Sequence, residues 1–248
     1  MLSVRRLFPL GTRVQSLALS CLLVLAIALP LMNGCGTGGG MMMSQQPTAS
    51  FAFVSNSGSG TVSAFAVSTS GSLSLVSGSP FPAGTGAEFM AFDSVHKFLF
   101  VSNQGANTVS AFSVNTATGM LTAAPGSPFP VGARPTGITV DPMGRFVFVA
   151  NQASNSISVF SIGANGSLAP VPGSPFAAGS PFGLAVDRAG ATLFASNFPD
   201  SASSDLNSVS SFQIAANGAL SAVSGSPFAS ASSPGFASSI GLAADPSG

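Results

Sequence analysis

One peptide, Gly-Ser-Pro-Phe, recurs four times in the chain, and its spacing restricts the possible folds more than any other feature. The copies lie at 78–81, 126–129, 173–176 and 225–228, so successive copies are 48, 47 and 52 residues apart. A period of this size is typical of propellers and solenoids, in which each unit packs against the next one. The length of the chain therefore counts repeat units rather than independent domains.

Each unit contains strand-like runs and no helical periodicity. The first kind is short and almost wholly apolar, as in FVFVA at 146–150, and is typical of a strand covered on both faces. The second kind alternates small polar residues with Val, Ile and Phe, as at 157–162, which is the period-two pattern of a strand. Asn-Gly pairs at 165–166 and 217–218 then favour tight hairpins. With one strand before Asp141 and one before Gly-Ser-Pro-Phe, each unit is predicted to form four antiparallel strands.

A four-stranded sheet of this size cannot bury both of its faces alone. Sheets that stack around an axis do bury them, and they also limit exposed strand edges. The sequence therefore predicts an all-β fold, a β-propeller of four-stranded antiparallel blades, of which about four are present.

The N-terminal residues carry the pattern of an export signal. Three arginines precede an apolar run at 17–31, and Gly34 stands directly before Cys35. These are the parts of a signal peptide, and with the cysteine they resemble a bacterial lipoprotein signal. That resemblance implies removal of residues 1–34, lipidation of Cys35 and an exported protein anchored to a membrane of the bacterial cell envelope. An ordinary signal peptide or a signal anchor with an incidental cysteine is the alternative.

Residues 35–50 are glycine-rich and polar, so they are predicted to form a flexible tether before the repeats at 51–248. Without residues 1–34 the chain has four basic residues against seven acids, 4 minus 7, a net charge of −3. No basic stripe remains, and nucleic acid is not a predicted partner. Cys21 lies in the signal and Cys35 at the lipidation site, so neither a disulfide nor a cysteine metal site is predicted.

Several short motifs resemble one family. The FVSN and FVAN strand ends, the DPMGR turn at 141–145 and the Arg134-Pro135 pair before a strand are similar to the YVTN-type repeat of the lactonase-like seven-bladed β-propellers. The resemblance runs from Phe51 to the end of the sequence and implies a propeller fold. The family includes 6-phosphogluconolactonases, so the resemblance also implies a hydrolase that acts on a small lactone.

The number of repeats departs from that family pattern. Seven units of this period would need roughly 330 residues, whereas 198 follow the tether. One hypothesis is that the sequence is a fragment of a seven-bladed propeller, because the last unit stops at 245–248, a turn that precedes an apolar strand in the other units. The alternative is a closed four-bladed ring, in which a strand at 239–244 completes the first blade.

Residues that recur in every blade are predicted to be scaffold, whereas polar residues unique to one blade are functional candidates. The recurring aspartates end the innermost strand: Asp93, Asp141, Asp187 and Asp245. The recurring asparagines follow the second strand: Asn56, Asn103, Asn151 and Asn197. Both types accept hydrogen bonds from turn amides, so they are predicted to cap or form turns.

His96 is the one histidine of the sequence and is predicted to be a solvated turn residue. No serine stands out as an activated nucleophile beside it. A site of imidazoles or thiolates is excluded by the residue count, and no clustered carboxylates support a calcium site. The sequence therefore predicts no metal and no cofactor.

Glu88 and Arg134 are the candidate catalytic residues. Both are unique to their blades and are predicted to precede inner strands, near the mouth of the central channel. A carboxylate could act as general base for lactone hydrolysis and an arginine could stabilise the developing oxyanion.

Two insertions in the fourth unit, at 198–206 and 229–238, are predicted to lie on the same face as Glu88 and Arg134. Loops that vary on a repeated scaffold are candidate binding elements, and Asp200 and Asp205 lie in the first insertion. One hypothesis is therefore a lactonase-like hydrolase with a small-molecule lactone as substrate. The alternative is a non-catalytic, lipid-anchored propeller that binds a protein or a glycan through these loops.

Overall fold

The structure, a computed structural model, describes residues 50–198, 208–229 and 242–244. These residues contain nineteen β-strands and no helix. No helix in the described ranges is long and apolar enough to cross a membrane. The strands form four antiparallel sheets, and each sheet is one blade.

The blades follow one another along the chain. Blade 1 is built from β1 (Ser50–Asn56), β2 (Thr61–Val67), β3 (Leu73–Leu75) and β4 (Phe81–Pro82). Blade 2 is built from β5 (Ala87–Phe92), β6 (Phe98–Asn103), β7 (Thr108–Val114), β8 (Leu121–Ala123) and β9 (Phe129–Pro130). Blade 3 is built from β10 (Pro135–Val140), β11 (Phe146–Asn151), β12 (Ser156–Ile162), β13 (Leu168–Pro170) and β14 (Phe176–Ala177). Blade 4 is built from β15 (Pro181–Val186), β16 (Thr192–Asn197), β17 (Ser208–Ile214), β18 (Leu220–Ala222) and β19 (Phe228–Ala229).

Blades 2, 3 and 4 have the same topology. The inner strand pairs with the second strand, the second with the third, and the third with two short outer pieces, as β7 does with β8 and β9. The predicted fourth strand is thus present but is interrupted. The second strand is the most buried element, and all six residues of β6 and of β11 are buried, as their apolar sequences predict. The predicted all-β propeller of antiparallel blades is confirmed.

Gly-Ser-Pro-Phe causes the interruption of the outer strand. In blade 2 the Ser127 Oγ accepts a hydrogen bond from the Ala111 amide at 3.0 Å, and the Ala111 carbonyl accepts one from the Ala124 amide at 2.8 Å. The hydroxyl therefore takes the place of an outer-strand carbonyl, so the buried amide keeps a partner. Ser79, Ser174 and Ser226 accept the same bond at 2.9 Å in the other blades, and the Ser-Pro peptide bond is cis in all four copies.

The hydrophobic core is divided into layers between neighbouring blades. Val62 of blade 1 packs in one cluster with Leu99 of blade 2, and Phe100 of blade 2 packs in a second cluster with Val149 of blade 3. A third cluster joins blades 3 and 4. Each blade thus buries its faces against its neighbours rather than against itself, which is why the repeats must stack.

The blades have two ends. We call the end where the chain enters the inner strands, at 84–88, 132–136 and 179–182, the entrance face. The other end carries the turns at 93–97, 141–145 and 187–191, and we call it the Asp-turn face. The chain enters β1 at the Asp-turn face, because every second strand begins there.

The recurring aspartates close these turns. A carboxylate oxygen of Asp93 accepts a hydrogen bond from the Phe98 amide at 2.8 Å, and one of Asp141 accepts a bond from the Phe146 amide at 2.9 Å. Asp187 caps its turn in the same way. Their predicted structural role is confirmed for these three residues.

The recurring asparagines are also structural, and their side chains bridge the two strands that flank a turn. Asn103 ends β6, and its Nδ2 donates hydrogen bonds to Thr108 Oγ1 at 3.0 Å and to Ser110 Oγ at 2.9 Å. The other three asparagines make the equivalent bonds to the third strand of their own blades. Their oxygens also accept bonds from turn amides: the Asn56 carbonyl accepts one from Gly60 at 2.8 Å, and Asn151 Oδ1 accepts one from Gly132 at 3.1 Å. The predicted structural role at turns is confirmed for these residues.

Candidate functional site

The entrance face holds both candidate catalytic residues. Arg134 lies in the connection before β10, as predicted, whereas Glu88 is the second residue of β5 and does not precede it. Strands β5 and β10 begin at the equivalent residues Ala87 and Pro135, and both carry the same register shift. Glu88 lies inside its strand because it is one residue beyond the strand's start, the position that Thr136 takes in β10. The structure thus brings the two candidates to the same end of adjacent blades.

Arg134 is held by a strained backbone. Its φ is +53°, a left-handed conformation that is uncommon for residues other than glycine. The Asn107 side chain holds it there by accepting a hydrogen bond from the Arg134 amide at 2.9 Å. The side chain itself is exposed. Ser180, at the equivalent position of blade 4, has a φ of +41°, and its amide donates the same bond to Asn155 at 3.0 Å. The conformation therefore belongs to the repeated scaffold, and in blade 3 it fixes the point from which the guanidinium extends.

Glu88 is half-buried, and its backbone carbonyl accepts a hydrogen bond from Ser55 Oγ of blade 1. Burial raises the pKa of Glu88 above the ordinary value of 4.5, while the positive charge of Arg134 acts in the opposite direction with a smaller effect. The Glu88 and Arg134 side chains form no ion pair within 4.0 Å. Arg134 is therefore close enough to act on the charge of Glu88 but does not neutralise it.

Gln152 was not predicted from the sequence. Its amide donates a hydrogen bond to the Arg134 carbonyl at 3.0 Å, and its Nε2 donates one to the Phe198 carbonyl of blade 4 at 3.3 Å. The side chain is 4% exposed, and its Oε1 has no hydrogen-bond partner among the described residues. Gln104 stands at the same position in blade 2 and Phe198 stands there in blade 4, so uniqueness to one blade does not single out Gln152. Its bridge to the next blade is visible only in the structure.

Aromatic rings form the other side of the same face. The rings of Phe89 and Phe182 meet edge to face with centroids 5.6 Å apart, and the rings of Phe182 and Phe198 are also 5.6 Å apart. Phe89 follows Glu88 directly in β5. The entrance face therefore combines one carboxylate and one guanidinium with a row of three phenylalanines.

His96 lies on the Asp-turn face, away from Glu88. It is exposed and has a φ of +55°, as expected for a turn residue. Among the described residues, no three histidine, cysteine, aspartate or glutamate side chains are close enough to hold a metal ion.

Several predicted residues fall outside the part of the chain that the structure describes. They are Cys35, Asp200, Asp205 and Asp245. The same holds for residues 1–49, for most of both predicted loop insertions, and for 239–241 of the strand that would close a four-bladed ring. These assignments stay predictions.

Comparison with known proteins identifies the family. The family model described as "Lactonase, 7-bladed beta-propeller" matches residues 42–233, which is most of the chain. The chain belongs to the lactonase family of seven-bladed β-propellers. The resemblance that the strand ends and the turn at 141–145 indicated is thus confirmed. No functionally curated protein matches the chain.

Solved structures agree with this lactonase-family fold. The periplasmic gluconolactonase of Pseudomonas aeruginosa is 21% identical, with a TM-score of 0.57 over 73% of this chain and 54% of that one. A candidate 6-phosphogluconolactonase of Bacteroides uniformis is 18% identical, with a TM-score of 0.57 over 72% of this chain and 54% of that one. A protein of Lactobacillus plantarum is 21% identical, with a TM-score of 0.58 over 70% and 51%. The lactonase-family chain spans about half the length of these structures, and at these identities the likeness concerns the fold.

Proposed function

We propose that this lactonase-family propeller hydrolyses a small sugar lactone at its entrance face, with Glu88 as general base and Arg134 as the group that stabilises the oxyanion. Membership of the lactonase family supports the reaction class. Two of the similar structures are described as a gluconolactonase and as a candidate 6-phosphogluconolactonase, which agrees with a sugar lactone as the substrate class.

The observation that carries the proposal is the state of Glu88. A half-buried carboxylate with a raised pKa is a stronger base than a solvated one, and general bases work best when their pKa lies near the working pH. The guanidinium of Arg134 is within electrostatic range of Glu88 but not bonded to it within 4.0 Å. It therefore stays available for a negative charge that develops on the substrate.

Hydrolysis of the lactone consumes one water molecule and no other reactant. Glu88 accepts a proton from water as the water oxygen bonds to the lactone carbonyl carbon, and Arg134 faces the carbonyl oxygen as it becomes negative. The ring C–O bond then breaks, and the alkoxide oxygen takes the proton from Glu88. The products are the open hydroxy acid and a regenerated Glu88 carboxylate.

The surroundings of the two residues favour a substrate without a phosphate group. Phosphate recognition normally gathers several arginines, lysines or backbone amides. Within the described part of the entrance face, Arg134 is accompanied by Glu88 and by the three phenylalanines. An unphosphorylated lactone would thus meet one cation and an apolar wall.

The test is an assay of the purified full chain on glucono-lactone and on 6-phosphogluconolactone, with spontaneous hydrolysis in the same buffer as the baseline. Glu88→Gln should lower kcat by about 10²–10⁴-fold, and Arg134→Gln by about 10²–10³-fold. Activity of the unaltered protein should rise with pH through the raised pKa of Glu88. Lys97→Gln is the matched control, because it removes one exposed charge on the Asp-turn face, and it should leave kcat unchanged.

Turnover that survives both substitutions would contradict the roles of Glu88 and Arg134. A folded protein without turnover on either lactone would contradict the hydrolase assignment itself. Faster turnover of the phosphorylated lactone would contradict the proposed substrate preference.

We also propose that the protein is exported and held at a membrane of the cell envelope through a lipid on Cys35. The basic residues, the apolar run at 17–31 and the Gly34-Cys35 pair support this. Growth with a labelled fatty acid tests it. Label that remains on the Cys35→Ser variant would contradict lipidation at this residue.

A further inference from the structure

The Asp-turn face carries exposed apolar side chains. Val95 and Met143 stand at the tips of the turns in blades 2 and 3 and are 70% and 58% exposed. Leu73 and Met120 lie at the same end of the β2–β3 and β7–β8 hairpins and are 55% and 42% exposed. Four of the six exposed large apolar residues in the described ranges thus share one end of the molecule. Exposed apolar side chains mark a contact site when they lie close enough to form one patch.

The turns of this face touch one another. A Cβ placed on Gly144 of blade 3 would lie 3.1 Å from the Ser94 side chain of blade 2, and one on Gly190 of blade 4 would lie 3.5 Å from the Met143 methyl group. The tips therefore form a continuous row across three blades rather than isolated points. A flat, extended partner could contact them together.

The N-terminal segment joins the propeller at this same end. Strand β1 begins at Ser50, and its first residues lie at the Asp-turn face. The fourteen residues between Cys35 and Ser50 can span at most about 50 Å when extended, at roughly 3.3–3.6 Å per residue. An anchor at Cys35 would therefore keep the Asp-turn face within one molecular diameter of the membrane. A tether this short also gives a weak contact a high effective concentration.

Charge does not account for such a contact. The three described turns carry three carboxylates, from Asp93, Asp141 and Asp187, and three cations, from Lys97, Arg145 and Arg188. The aspartates are used as turn caps, and Asp141 also pairs with Arg145 Nε at 2.8 Å. The described part of the face is formally neutral, so apolar insertion between lipid headgroups would hold it, and salt would have little effect.

We infer that the Asp-turn face rests on the lipid bilayer to which the chain is anchored, with Val95 and Met143 inserted at the interface. This inference rests on the proposed membrane anchoring but not on the proposed hydrolysis. It orients the molecule, because Glu88 and Arg134 lie at the opposite end of the blades. The entrance face then opens away from the bilayer, where a soluble small molecule reaches it without passing the membrane.

The test uses the lipidated mature protein, which begins at Cys35 and lacks Cys21, reconstituted in phosphatidylcholine vesicles that contain a lipid-borne fluorescence quencher. A reporter dye is attached at Ala189→Cys, an exposed tip on the Asp-turn face, or at Ala106→Cys, an exposed residue on the entrance face. The parent chain without an introduced cysteine gives the background. Quenching is expected at Ala189→Cys and not at Ala106→Cys, at low and at high salt alike.

A second comparison tests the apolar tips. In the Ala189→Cys reporter, the pair Val95→Asp and Met143→Asp should reduce the docked fraction on the order of tenfold, because two charged groups would have to enter the interface. Phe228→Asp is the matched control, since Phe228 is 47% exposed but lies at the entrance end of blade 4. Absent quenching, equal quenching of both reporters, or quenching that the Val95 and Met143 substitutions leave unchanged would overturn the inference. Lactone turnover that fails while the reporters behave as expected would reject the proposed hydrolysis alone.

Discussion

Glu88 occupies a position that three neighbouring blades fill in three different ways. Thr136 stands there in blade 3, and its hydroxyl donates a hydrogen bond to the Phe182 carbonyl at 3.0 Å. Phe182 itself stands there in blade 4 and meets another aromatic ring. Glu88 alone brings a charge, and within the part of the chain that the structure describes no ion pair within 4.0 Å offsets its burial. A carboxyl group whose desolvation cost no ion pair offsets does not stabilise the fold by its charge, and it is a candidate functional residue.

The pH dependence of stability tests this account of Glu88. Its pKa is raised in the folded protein, so the folded state binds this proton more tightly than the unfolded chain does. The stabilisation that this proton gives is complete below pH 4.5, and it is lost as the pH rises through the raised pKa. Glu88→Gln removes that loss, so its Tm should exceed that of the unaltered protein near neutral pH. Below pH 4.5 the Tm values of the two proteins should converge.

Arg134→Gln is the informative partner in that experiment. Without the nearby positive charge the pKa of Glu88 should rise further, so the fall in Tm toward neutral pH should become larger. Thermal unfolding followed by circular dichroism across the pH series measures all three proteins. Parallel curves for the three would contradict the assignment of the titrating group to Glu88.

At the level of the strands, the entrance face depends on how closely β10 approaches β15. A Cβ added to Gly137 of β10 would lie 2.3 Å from the Phe182 backbone oxygen. Real side chains do not come this close to a carbonyl, so the two inner strands can meet only because residue 137 is glycine. The same approach lets Thr136 bond to Phe182 and places Phe182 against Phe89.

Gly137→Ala is therefore expected to separate these strands. The added methyl group would destabilise the fold by about 1–3 kcal/mol, and lactone turnover should fall because Phe182 and Thr136 move with the strand. Urea unfolding and the lactone assay measure the two effects. Gly58→Ala is the matched control, since a Cβ there would meet nothing within 4 Å, and it should leave both unchanged. A Gly137→Ala protein as stable as the control would contradict the close approach.

The strands were predictable from the sequence because their signals are local. Apolar runs became the buried second strands, alternating runs became the third strands, and Asn-Gly pairs stand in the hairpin turns. The contacts that build the candidate site are not local. The bond that the Arg134 amide donates to Asn107 joins residues 27 positions apart. The bond that Gln152 donates to the Phe198 carbonyl joins residues 46 positions apart. The bulge beside Glu88 likewise depends on the pairing of β5 with β6. Sequence therefore selected Glu88 and Arg134 by their uniqueness but could not show their geometry.

In the whole molecule, stability is distributed over the layers between blades. Each of the three clusters draws its buried side chains from two successive blades. Repeat proteins built in this way are stabilised by nearest-neighbour interfaces, so a local defect weakens the two units that share an interface more than distant ones. The layer between blades 3 and 4 also supports β11 and β16, the strands that Gln152 and Phe198 directly follow.

Ile157→Val tests that coupling, because Ile157 is fully buried in β12 within the cluster shared by blades 3 and 4. Loss of one methylene should reduce the free energy of unfolding by about 0.5–1.5 kcal/mol. Hydrogen exchange should accelerate in β11, β12 and β16, on both sides of that layer, and remain unchanged in β1 of blade 1. Leu75→Val removes the same group from a side chain that is 63% exposed and should change neither quantity. Equal acceleration in all four blades would instead mean that the propeller opens as one cooperative unit.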